Sequence, residues 1–156
     1  MTALMDLIAG EERSILLAIS VEDWGGLDDP TRFDAHLSLG GGLDPTWLDL
    51  FSEAVRSVTD EADPVDFLDA RSEFDFGDAN VERIVEKVDG GWVSAVARVP
   101  DEQLSALAGR WIGLLEEELG LLPREEKPWI RDLTGQIVHF ARRSDRAADV
   151  VFAWAF

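Results

Sequence analysis

The sequence predicts a mainly α fold with a small β component: a helical hairpin and a third amphipathic helix, packed with two or three short strands. An α+β arrangement is the alternative. Three observations lead there. Apolar side chains recur at helical spacing over residues 45–58, 101–119 and 128–144, and they alternate with period two over residues 33–39 and 150–156. The chain has 156 residues, 46% of them apolar, with six Trp and eight Phe. That is enough large apolar material for one core, so residues 1–156 read as a single globular domain.

The clearest element covers residues 101–119. Leu104, Leu107, Ala108, Trp111, Ile112, Leu115 and Leu119 fall on one continuous helical stripe, with Pro100 before the helix and Gly120 after it. Glu116, Glu117 and Glu118 crowd its last turn, where the helix dipole disfavours acids. A second helix over residues 128–144 carries Ile130, Leu133, Ile137, Phe140 and Ala141 on its apolar face, and Arg142, Arg143 and Arg146 at its favoured cationic end. The link at 121–127 is short, which makes the two helices antiparallel neighbours. A third helix starts at Asp44 as N-cap and Pro45 as first residue, and turns Trp47, Leu48, Phe51, Ala54, Val55 and Val58 inward.

Shorter segments are less determined. Residues 91–99 read as a short helix or a strand, and 14–20 as a strand or a turn of helix. Phe33, Ala35, Leu37 and Leu39 alternate with Asp34, His36 and Ser38, as a half-buried strand does. Residues 150–156 are apolar on both faces and fit a central strand. Pairing between that strand and the N-terminal part would close the domain. Residues 60–80 hold eight carboxylates and read as an acidic loop with a short helix near 65–70.

Charge sorts the partners. Net charge is −18, and residues 1–90 hold 22 acidic against 6 basic side chains, while residues 91–156 hold 10 against 8. Such a field repels phosphate backbones and anionic membrane surfaces and favours a basic protein; it also serves plain solubility. Neither nucleic acid nor membrane is therefore an expected partner. With no Cys there are no disulfides, thiolates or Cys-based zinc sites. No apolar run reaches the length of a membrane span, and residues 1–10 carry Asp6 and no positive leader, so a cytoplasmic location is expected. Arg outnumbers Lys twelve to two, a usage typical of GC-rich bacterial genomes.

Motifs with chemistry do not survive inspection. Gly40-Gly41-Gly42 sits between a strand and a helix, as in a phosphate cradle, but no Lys follows and Asp44 takes the helix start. The 60–78 acids lack the spacing of a calcium loop, so no metal is expected, and nothing calls for a cofactor. His36 and His139 fall on polar faces without a positioned partner and read as exposed and inert. No catalytic residue is nominated. Trp24, in a turn-like setting before Gly25-Gly26, and Trp129 are the Trp side chains best placed to be exposed anchors.

Gly42-Leu43-Asp44-Pro45, Trp111 with Glu116 and Glu117, Ala141-Arg142-Arg143 and Phe152-Ala153-Trp154 follow one another in an order similar to a group of small uncharacterised bacterial proteins. The likeness spans about residues 33–156. The terminal strand of that group often carries Cys and Tyr, which this chain lacks. The resemblance implies the same single-domain architecture and transfers no functional residues, since the group has no assigned activity.

Two functional expectations result. The first is a non-enzymatic protein-interaction module, immunity- or inhibitor-like towards a basic partner. The second is an enzyme or small-molecule binder with a cleft near Trp111 and Glu117. The residues to place are Trp24, Trp111, Glu116, Glu117 and Trp129. A homodimer paired through an edge strand at the C-terminus is a further possibility.

Overall fold

The computed structural model describes residues 4–21, 23, 25–40, 45–61, 64–73 and 83–155. Chain order is β1 (Leu4–Gly10), α1 (Glu12–Ser20), a 3₁₀ turn (Gly25–Asp28), β2 (Ala35–Gly40), α2 (Pro45–Thr59), α3 (Phe67–Ala70), β3 (Arg71–Glu73), β4 (Arg83–Val88), α4 (Gly90–Ala97), a second 3₁₀ turn (Asp101–Gln103), α5 (Leu104–Leu119), α6 (Glu126–Ser144) and β5 (Asp149–Ala155). The fold is mainly helical with one small antiparallel sheet. Residues 41–44, Trp24 and residues 74–80 of the acidic stretch lie outside the described residues.

The sheet holds five strands in the order β2-β1-β5-β4-β3, rather than the two or three expected. Every pairing is antiparallel. The strand near the C-terminus, β5, is hydrogen-bonded to β1 along its whole length, from Leu4↔Ala155 to Gly10↔Asp149, and to β4 on its other side. This corrects the edge-strand route to a homodimer, because β5 has no free edge; the edges of this sheet are β2 and β3. The alternation in β2 also follows from its place at the rim. Ala35, Leu37 and Leu39 are buried against the helices, while Ser38 on the other face is exposed.

One face of the sheet carries the larger core. Met5, Leu7, Ala35, Leu37, Val150 and Phe152 pack against α2, α4, α5 and α6. Aromatic rings run through it edge to face: Phe51 meets Trp111 at 5.0 Å, Trp92 meets Phe67 at 5.0 Å, and Phe67 meets Phe152 at 5.1 Å between ring centroids. Burying a ring of this size removes roughly 150–250 Å² from water, about 4–6 kcal/mol at 25 cal/mol per Å². The two most deeply buried indole N–H groups have acceptors. Trp111 Nε1 donates to the Trp47 carbonyl at 2.9 Å, and Trp92 Nε1 donates to Ser52 Oγ at 2.8 Å, whose own hydroxyl donates to Leu48 O. These buried polar groups are thus satisfied inside an otherwise apolar core.

The opposite face is covered by α1 and the first 3₁₀ turn. Ile8, Val85, Val151 and Ala153 of the sheet meet Ile15, Ala18, Ile19, Leu27 and Phe33 there. Residues 14–20 are therefore helix rather than strand. Local signals left this open because α1 has no side-chain cap of its own: Glu11 at the N-cap makes none. The amide of Glu12 donates instead to Asp149 Oδ2 at 3.2 Å, across 137 positions of sequence. A carboxylate at a helix N-terminus both accepts an orphan N–H and faces the positive end of the dipole. Lys87 Nζ lies 2.9 Å from the other oxygen of Asp149, and that hydrogen bond and charge raise the Lys87 pKa.

Candidate functional site

Three places invite a functional reading: the far end of the α5–α6 hairpin, a cleft at the head of β5, and a histidine cluster on the α1 side of the sheet.

The hairpin end is built by its turn. Gly120 closes α5 at φ +88°, a region that L side chains rarely adopt, and its N–H donates to Glu116 O. Beyond it the chain leaves the helix. Leu122 tucks against the larger core, while Leu121 is left 90% exposed and Leu119 58% exposed. Pro123 and Pro128 are exposed beside them. Trp129 in the first turns of α6 is 38% exposed, its ring tilted against Trp47 at 6.4 Å. A large apolar residue left bare in this way is the informative kind of exposure, and here several share one end of a hairpin.

Glu116, Glu117 and Trp111 come apart in the structure. Trp111 is fully buried with its N–H taken by Trp47, which corrects its nomination as a cleft residue: no face of the ring is open to a ligand. Glu116 pairs with Lys127 Nζ of α6 at 3.3 Å. That cation answers the unfavourable acids at the α5 terminus and ties the two helices at the turn. Glu117 is exposed on the last turn of α5. Glu116 and Glu117 in the last turn of α5 and Trp129 in the first turns of α6 therefore lie at the hairpin end.

One small cleft among the described residues lies elsewhere. It is lined by Lys87, Val88, Gly90, Val93, Ser144, Asp145, Asp149 and Val150 and has a volume of about 80 Å³. Small-molecule sites run to roughly 300–1000 Å³. Its polar groups are already engaged: Asp149 holds Lys87 and the α1 amide, Asp145 Oδ1 accepts from Ser94 Oγ at 2.6 Å, and Ser144 Oγ donates to Phe140 O. These contacts join α4, α6, α1 and the sheet, a structural role.

His36 departs from its expected exposure. Its side chain is only 9% exposed, with Nε2 2.8 Å from Asp6 Oδ1 and Nδ1 2.7 Å from Asp28 Oδ1. Its burial comes from the 3₁₀ turn lying over β2. Burial by itself would lower the ring's pKa; the hydrogen bonds to Asp6 and Asp28, together with their charges, outweigh it and raise the pKa above the ordinary value. A general base needs one free nitrogen facing its substrate, and here both are occupied by carboxylates. The two nitrogens also point away from each other, so the two carboxylates cannot converge with one of them on a single ion. Among the described residues no group of three His, Asp or Glu side chains is placed to hold a metal. His139, by contrast, is exposed on α6.

No protein-family model matches the chain, and comparison with curated proteins and with solved structures gave no match. Among the described residues no helix is long and apolar enough to cross a membrane.

Proposed function

We propose that this chain is a non-enzymatic protein-interaction module of the bacterial cytoplasm, immunity- or inhibitor-like, that docks a basic partner through the end of the α5–α6 hairpin. The observation that carries the reading is the exposure of three large apolar side chains at that end, Leu119, Leu121 and Trp129. Trp is the residue type most enriched among interface anchors, and Trp129 is backed by Trp47, so its ring is held in place before any partner arrives. Glu117 and Glu118 stand exposed on the last turn of α5, next to this surface. The wider field of −18 would steer a cationic partner and repel nucleic acid.

The alternative, an enzyme or small-molecule binder with a cleft near Trp111 and Glu117, has less behind it, since Trp111 is sealed in the core. The test is affinity capture from the cells that encode the chain, comparing wild type with Leu121→Glu and Trp129→Ala. The expected result is one protein of high isoelectric point, bound by wild type, lost with both variants and weakened as salt rises. Capture of a partner that both variants retain would contradict the assignment of the surface, and salt-independent association would contradict the steering.

A further inference from the structure

The Asp6–His36–Asp28 cluster joins three separate elements: β1, β2 and the 3₁₀ turn Gly25–Asp28. An ionised carboxylate can only accept hydrogen bonds, so two carboxylates on one ring require a proton on each nitrogen. The geometry therefore describes an imidazolium. A neutral ring has one N–H and can hold only one of the two partners.

The partners are unequal. Asp6 sits on β1 with its side chain 14% exposed, whereas Asp28 is 72% exposed at the end of the turn. Leaving a carboxylate unpaired costs more where water cannot reach it. The last N–H therefore stays with Asp6, and a bare Nδ1 is left facing the Asp28 carboxylate, lone pair to lone pair. Among the described residues, Asp6 of β1 and Asp28 of the turn are the charges acting on the ring.

We propose that His36 is a proton-operated clasp, which as imidazolium holds the Gly25–Asp28 turn against the sheet and on losing its proton lets the turn go. The consequence is local. The turn carries Leu27, which is buried in the smaller core against Ile8, Ile15 and Ile19, so its release uncovers an apolar side chain and the outer face of the edge strand β2. The larger core on the other side of the sheet has no part in it. This inference stands apart from the proposed docking surface and survives or fails without it.

Residue-resolved NMR of the intact chain between about pH 5.5 and 9.5 tests it, following the His36 ring and the backbone amides of residues 25–28. The expected result is a ring midpoint above that of an unperturbed His, with the turn amides moving at the same midpoint. In Asp28→Asn, a change on an exposed side chain that keeps the shape of the turn, the midpoint falls by roughly half a unit or more and the turn amides no longer follow the ring. A ring that titrates while the amides of 25–28 stay still would overturn the clasp. So would an Asp28→Asn chain with an unchanged midpoint.

Discussion

On the helical side of the sheet, Phe51, Trp92, Trp111 and Phe152 are buried edge to face, and the polar atoms among them are neutral and paired. On the α1 side a smaller apolar cluster around Ile8, Ile15 and Leu27 is rimmed by charges: Asp6, His36 and Asp28 at one end, Asp149 and Lys87 at the other. The same strands serve both faces. The interior of the first layer is apolar and does not titrate, with its ion pairs on helix surfaces, whereas the second leans on ion pairs at its rim and a borrowed helix cap. Difference in composition thus becomes difference in local stability: opening should begin on the α1 side.

The harshest way to break the comparison is to attack the first face. Trp111→Ala removes a fully buried ring and leaves the Trp47 carbonyl without its donor, and should cost about 3–5 kcal/mol in urea unfolding. Asp149→Ala attacks the second face by removing the α1 cap and the Lys87 partner together. About 1–3 kcal/mol is expected, read by hydrogen exchange as lost protection in α1 with α2 and α5 little changed. Equal loss on both faces would show that the two layers open as one.

The pH dependence sharpens the same contrast. The His36 pKa is raised by folding, so its contribution to stability is fully present below the ordinary His value of 6.5 and is lost as pH rises through the folded value. Stability should therefore decline above about pH 6.5, and the decline should vanish in Asp28→Asn paired with His36→Gln, measured by denaturation at each pH. The smallest effect belongs to the hairpin end. Leu121→Glu replaces an exposed side chain with no core contact, and should change stability by no more than about 0.5 kcal/mol while abolishing partner binding.

Much of the helical face was legible because its signals are local. The stripe through Leu107, Trp111 and Leu115, the Pro45 start and the Gly120 stop all lie within a few residues of what they specify. The α1 side was not, because its determinants are distant. The cap of α1 comes from Asp149, and the burial of His36 comes from Asp28, 8 positions away, and Asp6, 30 away. β1 hid as a short apolar run with neither turn signal nor clean alternation, since it is covered on both faces; Asp6 within that run was the one local hint of a buried polar partner. β4 hid behind Glu86 and Lys87, whose charges mask the Val85 and Val88 that it buries. At the candidate surface, Trp129 could be singled out from sequence, whereas Leu121 could not, because nothing local says which of Leu121 and Leu122 turns inward.

The docking surface is the central claim, and a hydrogen-exchange footprint of the complex with the captured partner tests it most directly. The account predicts that amides of residues 117–131 gain protection on binding while those of α1 and β2 do not. Protection gained on the α1 side, with the hairpin end exchanging as in the free chain, would contradict it.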